Sequence, residues 1–465
     1  MDGFAKEVCK RLPLGEAALR LFDFISGAGF LTEVFERYRG RSYESVIGFP
    51  LFVQMITDAL LQHGGSGHRS FQDAIENEAL EASIRAAYGK LARVPISLSV
   101  GFFAEATRRL EQVFPATAEN QIPKSLRGFE PTAIDGKKIK HVAKRLKILR
   151  KVRGHVLGGK LVVAMSLHTN LAVALGADPD GEVSDAPLVP SVMAQALGTS
   201  AWPRLWVADR QFCDLVQPAH FTANGDHFLI RYNAKVRFHR DTSRPIKTGI
   251  NEAGLKYREE WGWLGSARDP RRRPVRRITL ERPGAEDVIL VTDLLDENTY
   301  PATDLLAMYL MRWNIENMFQ RITEVFHLRT LIGGTPEATI FQAAFCLLLY
   351  NLIQVIRQYI AGAQKIVPQS ISTENLFDDV TRQLIGWTEV LSTRDTVALL
   401  QTTWTAAQLA RRLEELLRKP WRESWRKAPS SSHKPQQNDT EYLRGGHNSV
   451  YRILHAARRA GKRIA

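Results

Sequence analysis

Three carboxylates stand where chemistry could use them. Asp135 closes the short apolar run Thr132-Ala-Ile-Asp135, and Asp209 closes the run Leu205-Trp-Val-Ala-Asp209. Glu316 lies within YLMRWNIENMFQRITEVFH at 309–327. The first two runs barely alternate, as strands covered on both faces do, so each Asp is expected at the end of a buried strand. The third stretch reads as one helix. Met311, Ile315, Met318, Ile322 and Val325 share a narrow arc, while Tyr309, Arg312 and Glu316 fall together on the opposite side. Taken alone, that polar face is a solvated one with an i,i+4 Arg–Glu pair, and an acid after a strand is a turn or cap residue. Converging at the end of a sheet, three acids can do more. They can hold two divalent cations roughly 3.5–4 Å apart, one serving the attacking oxygen of a phosphodiester reaction and one the leaving oxygen. Mg²⁺, with Mn²⁺ as substitute, suits such hard oxygen donors.

The composition supplies a substrate class. The chain has 465 residues, enough for several domains, with 44% hydrophobic and 24% charged residues, as in ordinary globular proteins. Its charge is not ordinary: 63 Lys and Arg against 49 Asp and Glu give +14, a surplus that points to a polyanion. The longest uncharged apolar stretch, 338–356, contains Gln342, Asn351 and Gln354, so a buried helix is expected rather than a membrane span. With membranes disfavoured, the partner is nucleic acid. Cys9, Cys213 and Cys346 lie far apart, with no metal-ligand spacing and no even disulfide set, which suits a reducing cytoplasm.

The elements that must position these acids follow from periodicity. Helical spacing runs through 16–37, 49–63, 70–92 and 97–114, so residues 1–125 read as a helical DNA-binding domain. From about 130 the texture becomes that of an α/β sheet, with one or two core strands in 160–173 and another at 205–209. Strand patterns at 227–232, 236–239, 261–264, 275–280 and 288–292 indicate a β-rich insertion at 226–298, with the basic loop RDPRRRPVRR at 268–277. Helices resume near 303, with Thr303-Asp304 as a start. Residues 363–465 read as a helical region whose basic tail includes a helix at 448–461.

In order, IDGKKIK at 134–140, VADRQF at 207–212, the β insertion and YLMRWNIENMF at 309–319 resemble the bacterial DDE transposases of the insertion-sequence-four family. The resemblance covers about 130–360. It implies a ribonuclease-H-like catalytic domain, split here into 126–225 and 299–362 around the insertion. Asp135, Asp209 and Glu316 match the family's three metal-binding catalytic acids. The family's helix pattern is Tyr-x2-Arg-x3-Glu-x6-Lys. Tyr309 and Arg312 match its phosphate contacts, but Thr323 stands where that pattern has lysine.

The resemblance implies cut-and-paste transposition. Metal-dependent hydrolysis would nick the element's ends, and the freed 3′-hydroxyl would join target DNA. A dimer would hold both terminal inverted repeats. Lys137, Lys138, Arg210, Arg271, Arg272 and Arg273 are the expected backbone contacts, with Trp261 or Trp263 available to stack on a base. Two other expectations compete: a catalytically silent DNA-binding derivative, which Thr323 favours, and a nuclease or resolvase on the same fold.

Overall fold

The computed structural model describes residues 3–44, 46–115, 122–140, 142, 144, 146–391, 404–427 and 448–461. Helices open the chain: α1 (Gly3–Arg11), α2 (Pro13–Ser26), α3 (Ala28–Tyr38), α4 (Phe49–Leu61), α5 (Gly67–Glu76), α6 (Ile84–Leu91) and α7 (Ile96–Gln112). Pro13 and Pro50 sit in the first turns of α2 and α4, where a missing N–H costs nothing. The side chains of Ser66 and Ser83 cap α5 and α6. Two stretches with continuous helical spacing are each a pair of helices. Gly27, extended at ψ 143°, separates α2 from α3. Beyond α5, Glu78 takes a left-handed φ of 57° before Ser83 starts α6.

The middle of the chain alternates strands with short helices: β1 (Glu130–Lys138), α8 (Lys147–Arg150), β2 (Val156–Leu157), β3 (Lys160–Ser166), β4 (Ala172–Asp178), α9 (Val189–Ala196), β5 (Arg204–Ala208), α10 (Gln217–Phe221) and β6 (His227–Arg231). Then come β7 (Phe238–Arg240), β8 (Lys247–Ile250), β9 (Lys256–Leu264), β10 (Arg273–Leu280) and β11 (Val288–Thr292). All but β2 join one sheet in the order β4-β3-β1-β5-β6-β11-β10-β9-β7, with β8 on β9. In its first half, β5 runs parallel to β1 and β6 parallel to β5, while β3 is antiparallel to β1. That is the expected ribonuclease-H-like arrangement. The β insertion is not a separate body. β6, which the sequence places inside it, continues the parallel strands, and β11 hydrogen-bonds directly to β6. The inserted strands widen the same sheet.

Helices close the chain: α11 (Ala302–Met311), α12 (Trp313–Glu324), α13 (Pro336–Gln364), α14 (Thr373–Val390), α15 (Ala406–Leu417) and, after the two-residue strand β12 (Asn448–Ser449), α16 (Val450–Arg459). The single helix expected over 309–327 is two. At Arg312 the ladder tightens: its N–H bonds to Tyr309 O, three residues back, and Ile315 N–H bonds to Arg312 O. α13 is long and apolar enough to cross a membrane, yet its apolar window is wholly buried inside the protein.

Side chains alternate across β1. Ala133 joins a large core that runs from Leu14 of α2 through α7 and α13 to Leu454 of α16. Ile134 joins a second core on the other face, with Val192 of α9 and Trp206. The N-terminal helices therefore share one core with the sheet. A buried Asn351 on α13 locks the layers. It donates to Ala172 O (2.8 Å) and to Thr107 Oγ1 (3.1 Å), and it accepts from Ala172 N–H (2.9 Å).

Candidate active site

β1 and β5 set the site. They are parallel, and Ile134 registers with Ala208 as the last pair. Asp135 and Asp209 each come one residue later, at the same level of adjoining chains. Both preceding residues are wholly buried. Asp209 follows the end of β5, but Asp135 lies inside β1, which runs on to Lys138 and pairs Asp135 with Val163 of β3, so the expected strand end holds for Asp209 alone. Asp209 is non-helical and leads directly into the turn Arg210–Phe212.

Glu316 comes from α12, whose Ile315, Met318 and Ile322 are buried as the apolar stripe predicts. Tyr309 and Arg312 are buried as well, each 5% exposed, although they lie off that stripe. They face the acids instead of water. Arg312 Nη2 donates to Glu316 Oε1 at 2.7 Å, and Nη1 lies 3.9 Å from Asp135 Oδ2. The guanidinium thus links the first and third acids. Its Nε and the Tyr309 hydroxyl are buried without hydrogen-bond partners of good geometry. Such groups carry a desolvation cost that an external acceptor would relieve.

Asp135 is under electrostatic load. Burial pushes its carboxyl up to about 6 from the ordinary 3.8. The Gly136 N–H (2.8 Å) and Arg312 pull it back, and Asp185 and Glu316 push it further up. Asp209 acts on the other flank: burial raises the Tyr309 phenol, Arg312 lowers it, and the Asp209 charge adds to the rise.

Asp185 is a fourth acid that sequence reading missed. It is 4% exposed and forms a buried ion pair with Lys160 at the start of β3. Its carboxylate lies against Gly136, where a Cβ would come within 2.2 Å of it. Asp185 follows no strand and belongs to no motif. The only sequence trace was the glycine after Asp135, which leaves room for it.

A groove of about 560 Å³ opens beside these residues. Gly136, Lys137, Lys138, Lys140, Lys160, Asp185, Gln211, Glu316, Thr323 and Arg329 are among its walls. Thr323 turns inward along its own helix, its hydroxyl bonded to Phe319 O at 2.6 Å. Lys137 Nζ lies 5.7 Å from the centre of the Phe319 ring, one turn before Thr323. Burial and the nearby Lys140 lower its pKa. A larger cavity of about 830 Å³ between α2, α15 and Trp421 lies apart from the acids. Its buried Glu16 is held by Arg20 and Arg412 at 2.8 Å each.

The basic insertion loop is less free than its composition suggests. Arg273 already belongs to β10, and its Nη1 donates to Pro218 O (2.9 Å) and Thr222 Oγ1 (3.0 Å). Arg276 and Arg277 pair with Glu259 and Glu260 across the β9–β10 hairpin. Arg271 pairs with Asp269 at 3.0 Å. Arg272 stacks over Trp263, 4.3 Å from the ring centre. Trp261, by contrast, is packed inside and donates to Leu295 O at 2.9 Å, so it offers no face for a base. Arg210 is exposed and approaches Glu286 at 3.7 Å.

The donor set fits a hard divalent cation: every candidate ligand atom is a carboxylate oxygen, and Asp135 is buried among other acids. Yet no three acids, histidines or cysteines among the described residues are close enough to form a ligand shell. Arg312 supplies the positive charge between Asp135 and Glu316 in this arrangement.

Residues 128–352 match the family model of the transposase DDE domain. The chain is 28% identical over 82 residues to y4zB of Sinorhizobium fredii (strain NBRC 101917 / NGR234), whose own name marks it as a candidate transposase. That match spans 18% of this chain and 22% of the relative. Among solved structures, the piggyBac transposase synaptic complex with hairpin DNA aligns over 90% of this chain and 88% of its own, with 10% identity and a TM-score of 0.38. That likeness is too low to carry an argument.

Proposed function

From the premise that residues 128–352 are a transposase DDE domain, we propose that this protein is a DNA transposase that cuts an insertion sequence from its flanks and joins it to target DNA. The observation that carries the reading is the gathering of Asp135 and Glu316 around Arg312, where the β1–β5 pairing ends next to Asp209, beside a lysine-lined groove. Asp135, Asp209 and Glu316 are the residues that would hold Mg²⁺ ions. Bound there, the ions would activate the attacking oxygen and offset charge on the leaving one.

The chain's own groups bind and orient. Arg312 and Tyr309 bring two unsatisfied polar groups to the acids, and the planar guanidinium fork matches phosphate oxygens. Arg312 would then turn from the carboxylates to a phosphate as cations take its place. Lys137 and Lys138 hold the backbone along the groove, and Lys137 stands near the place where the family's helix lysine is missing. Arg210, Arg271 and Arg272 lie nearer solvent, and Trp263 would stack on a base once Arg272 leaves its ring. The N-terminal helices would grip the terminal inverted repeat, and a dimer would bring two ends together.

The test uses purified full-length protein, Mg²⁺ and a duplex carrying the genomic sequence that flanks its reading frame. Cleavage by the parent is expected, with transfer of the 3′ end to a target plasmid. Asp135→Asn, Asp209→Asn and Glu316→Gln should bind the duplex but not cut it. Cleavage by Glu316→Gln at the parental rate overturns the assignment. Cutting without joining indicates a nuclease, and binding without cutting by the parent indicates a silent derivative.

A further inference from the structure

We infer that α16 and α8 together form a second contact surface for the DNA backbone, a basic platform that receives duplex leaving the catalytic groove. The inference rests on the transposase reading, and it adds a site that neither segment reveals alone.

The segments are some three hundred positions apart in sequence and adjacent in space. Asn448 and Ser449 pair in parallel with Val156 and Leu157, and α16 then packs on α8. The docking is specific. Ser449 N–H donates to Glu182 Oε1 (2.8 Å), and Arg452 binds Asp180 (2.7 Å) and Glu182 (2.5 Å). Val450, Leu454 and Ala457 turn inward. The acids that dock the helix are thus used up beneath it.

The outer surface is one-sided in charge. α8 reads KILR and α16 reads VYRILHAARR, with no acid in either. Lys147, Lys151, Arg153, Arg458 and Arg459 are exposed there, as is Tyr451. A solvated face is the simpler alternative, but such faces usually mix signs. Gathering the cations of two helices that carry no acid of their own costs self-repulsion that an anionic partner removes.

Continuity selects the partner. Lys137, Lys138 and Lys140 line the groove beside the acids. Beyond them Ile139 and Val142 bond to the chain around β2, through Ile139 N–H to Gly159 O (3.0 Å), Gly158 N–H to Ile139 O (2.8 Å) and Val142 N–H to Val156 O (3.4 Å). β2 is also the strand that holds β12. The stretch that carries the groove lysines is thus tied through β2 to the strand that leads into α16. A backbone with regularly spaced phosphates can meet both the groove lysines and the platform cations without base readout.

The experiment measures the affinity of the full chain for a labelled duplex against salt, with no divalent ion. Two double variants reverse surface charge only: Arg458→Glu with Arg459→Glu, and Lys147→Glu with Lys151→Glu. Arg452→Glu is a third, which undocks α16. Each double variant should melt as the parent does, bind roughly tenfold more weakly near 0.1 M salt, and lower the slope of log K against log salt by about 2. Arg452→Glu should weaken binding similarly. Parental affinity and slope in both double variants overturn the inference while leaving the transposase reading intact. A parent that binds no duplex overturns both. Platform-dependent binding to anionic vesicles, with duplex affinity unchanged in the variants, overturns it in favour of a membrane partner.

Discussion

Arg312 and Asp135 show how individual side chains set the site's properties. Asp135 keeps its proton up to about pH 6 when folded, against an ordinary 3.8. The folded state therefore binds the proton more tightly than the unfolded state does. The stability this gives is full at low pH and is lost as pH rises from about 4 through 6. Asp135→Asn should raise stability at pH 7.5, by up to about 3 kcal/mol. The gain should vanish below about pH 4 in urea titrations, and an equal gain at both pH values would refute the assigned load. The buried Lys160–Asp185 pair behaves differently. Lys160→Met leaves the Asp185 charge stranded and should cost about 3–5 kcal/mol, whereas Lys160→Met with Asp185→Leu should recover most of it. Equal losses in the single and double variants would mean that the pair is not coupled. At this scale Asp209 was legible as an acid at a strand end and Glu316 as one on a polar helix face, whereas Asp135 lies within β1, because pairing with β3 carries the strand on to Lys138. Asp185 was not, because its position depends on a chain reversal that brings it over Gly136.

At the scale of elements, local chemistry predicted most helices and strands, and failures came where a neighbour decided. The helix over 309–327 looked continuous because its apolar spacing is unbroken. The tightened turn at Arg312 reflects what the side chain must reach, two carboxylates on different elements, which periodicity does not encode. RDPRRRPVRR looked like a free basic loop because its partners, Glu259 and Glu260, lie on the strand before it. Two predictions belong here. Thr323→Lys should add a cation to the groove wall and steepen the salt dependence of duplex binding by about one unit of log–log slope, and an unchanged slope would show that this face does not meet DNA. Asn351→Ala removes the buried group that satisfies Ala172 N–H and C=O between α13 and β4. It should lower unfolding free energy by about 2–4 kcal/mol, and a loss below about 1 kcal/mol would mean that the layers are held by apolar packing alone.

At the scale of the molecule, one sheet and one long core tie the regions together. The N-terminal helices, the sheet and α13–α16 share the core that runs from Leu14 to Leu454. A substitution in that core, such as Phe102→Ala on α7, should therefore lower the cooperative melting of the whole described body. A cost of about 3–5 kcal/mol is expected. Two separate calorimetric transitions, with only one moved, would instead indicate an N-terminal region that unfolds independently. The expected β-rich insertion is equally part of this unit, since its strands extend the parallel strands through β6 and β11.

The sequence alone determined the net charge that points to a polyanion, the positions of the three acids, the helix that bears Glu316 and the burial of α13. Each of these is written in residue type, net charge or local period. Only the tertiary structure decided which charges are free and which are spent. Arg276, Arg277 and Lys160 are internal counter-ions, whereas Lys147 of α8 and Arg458 and Arg459 of α16 are exposed. The physical reason is that a charge's role depends on its neighbours across space and on the local solvent, and neither is a property of its place in the chain.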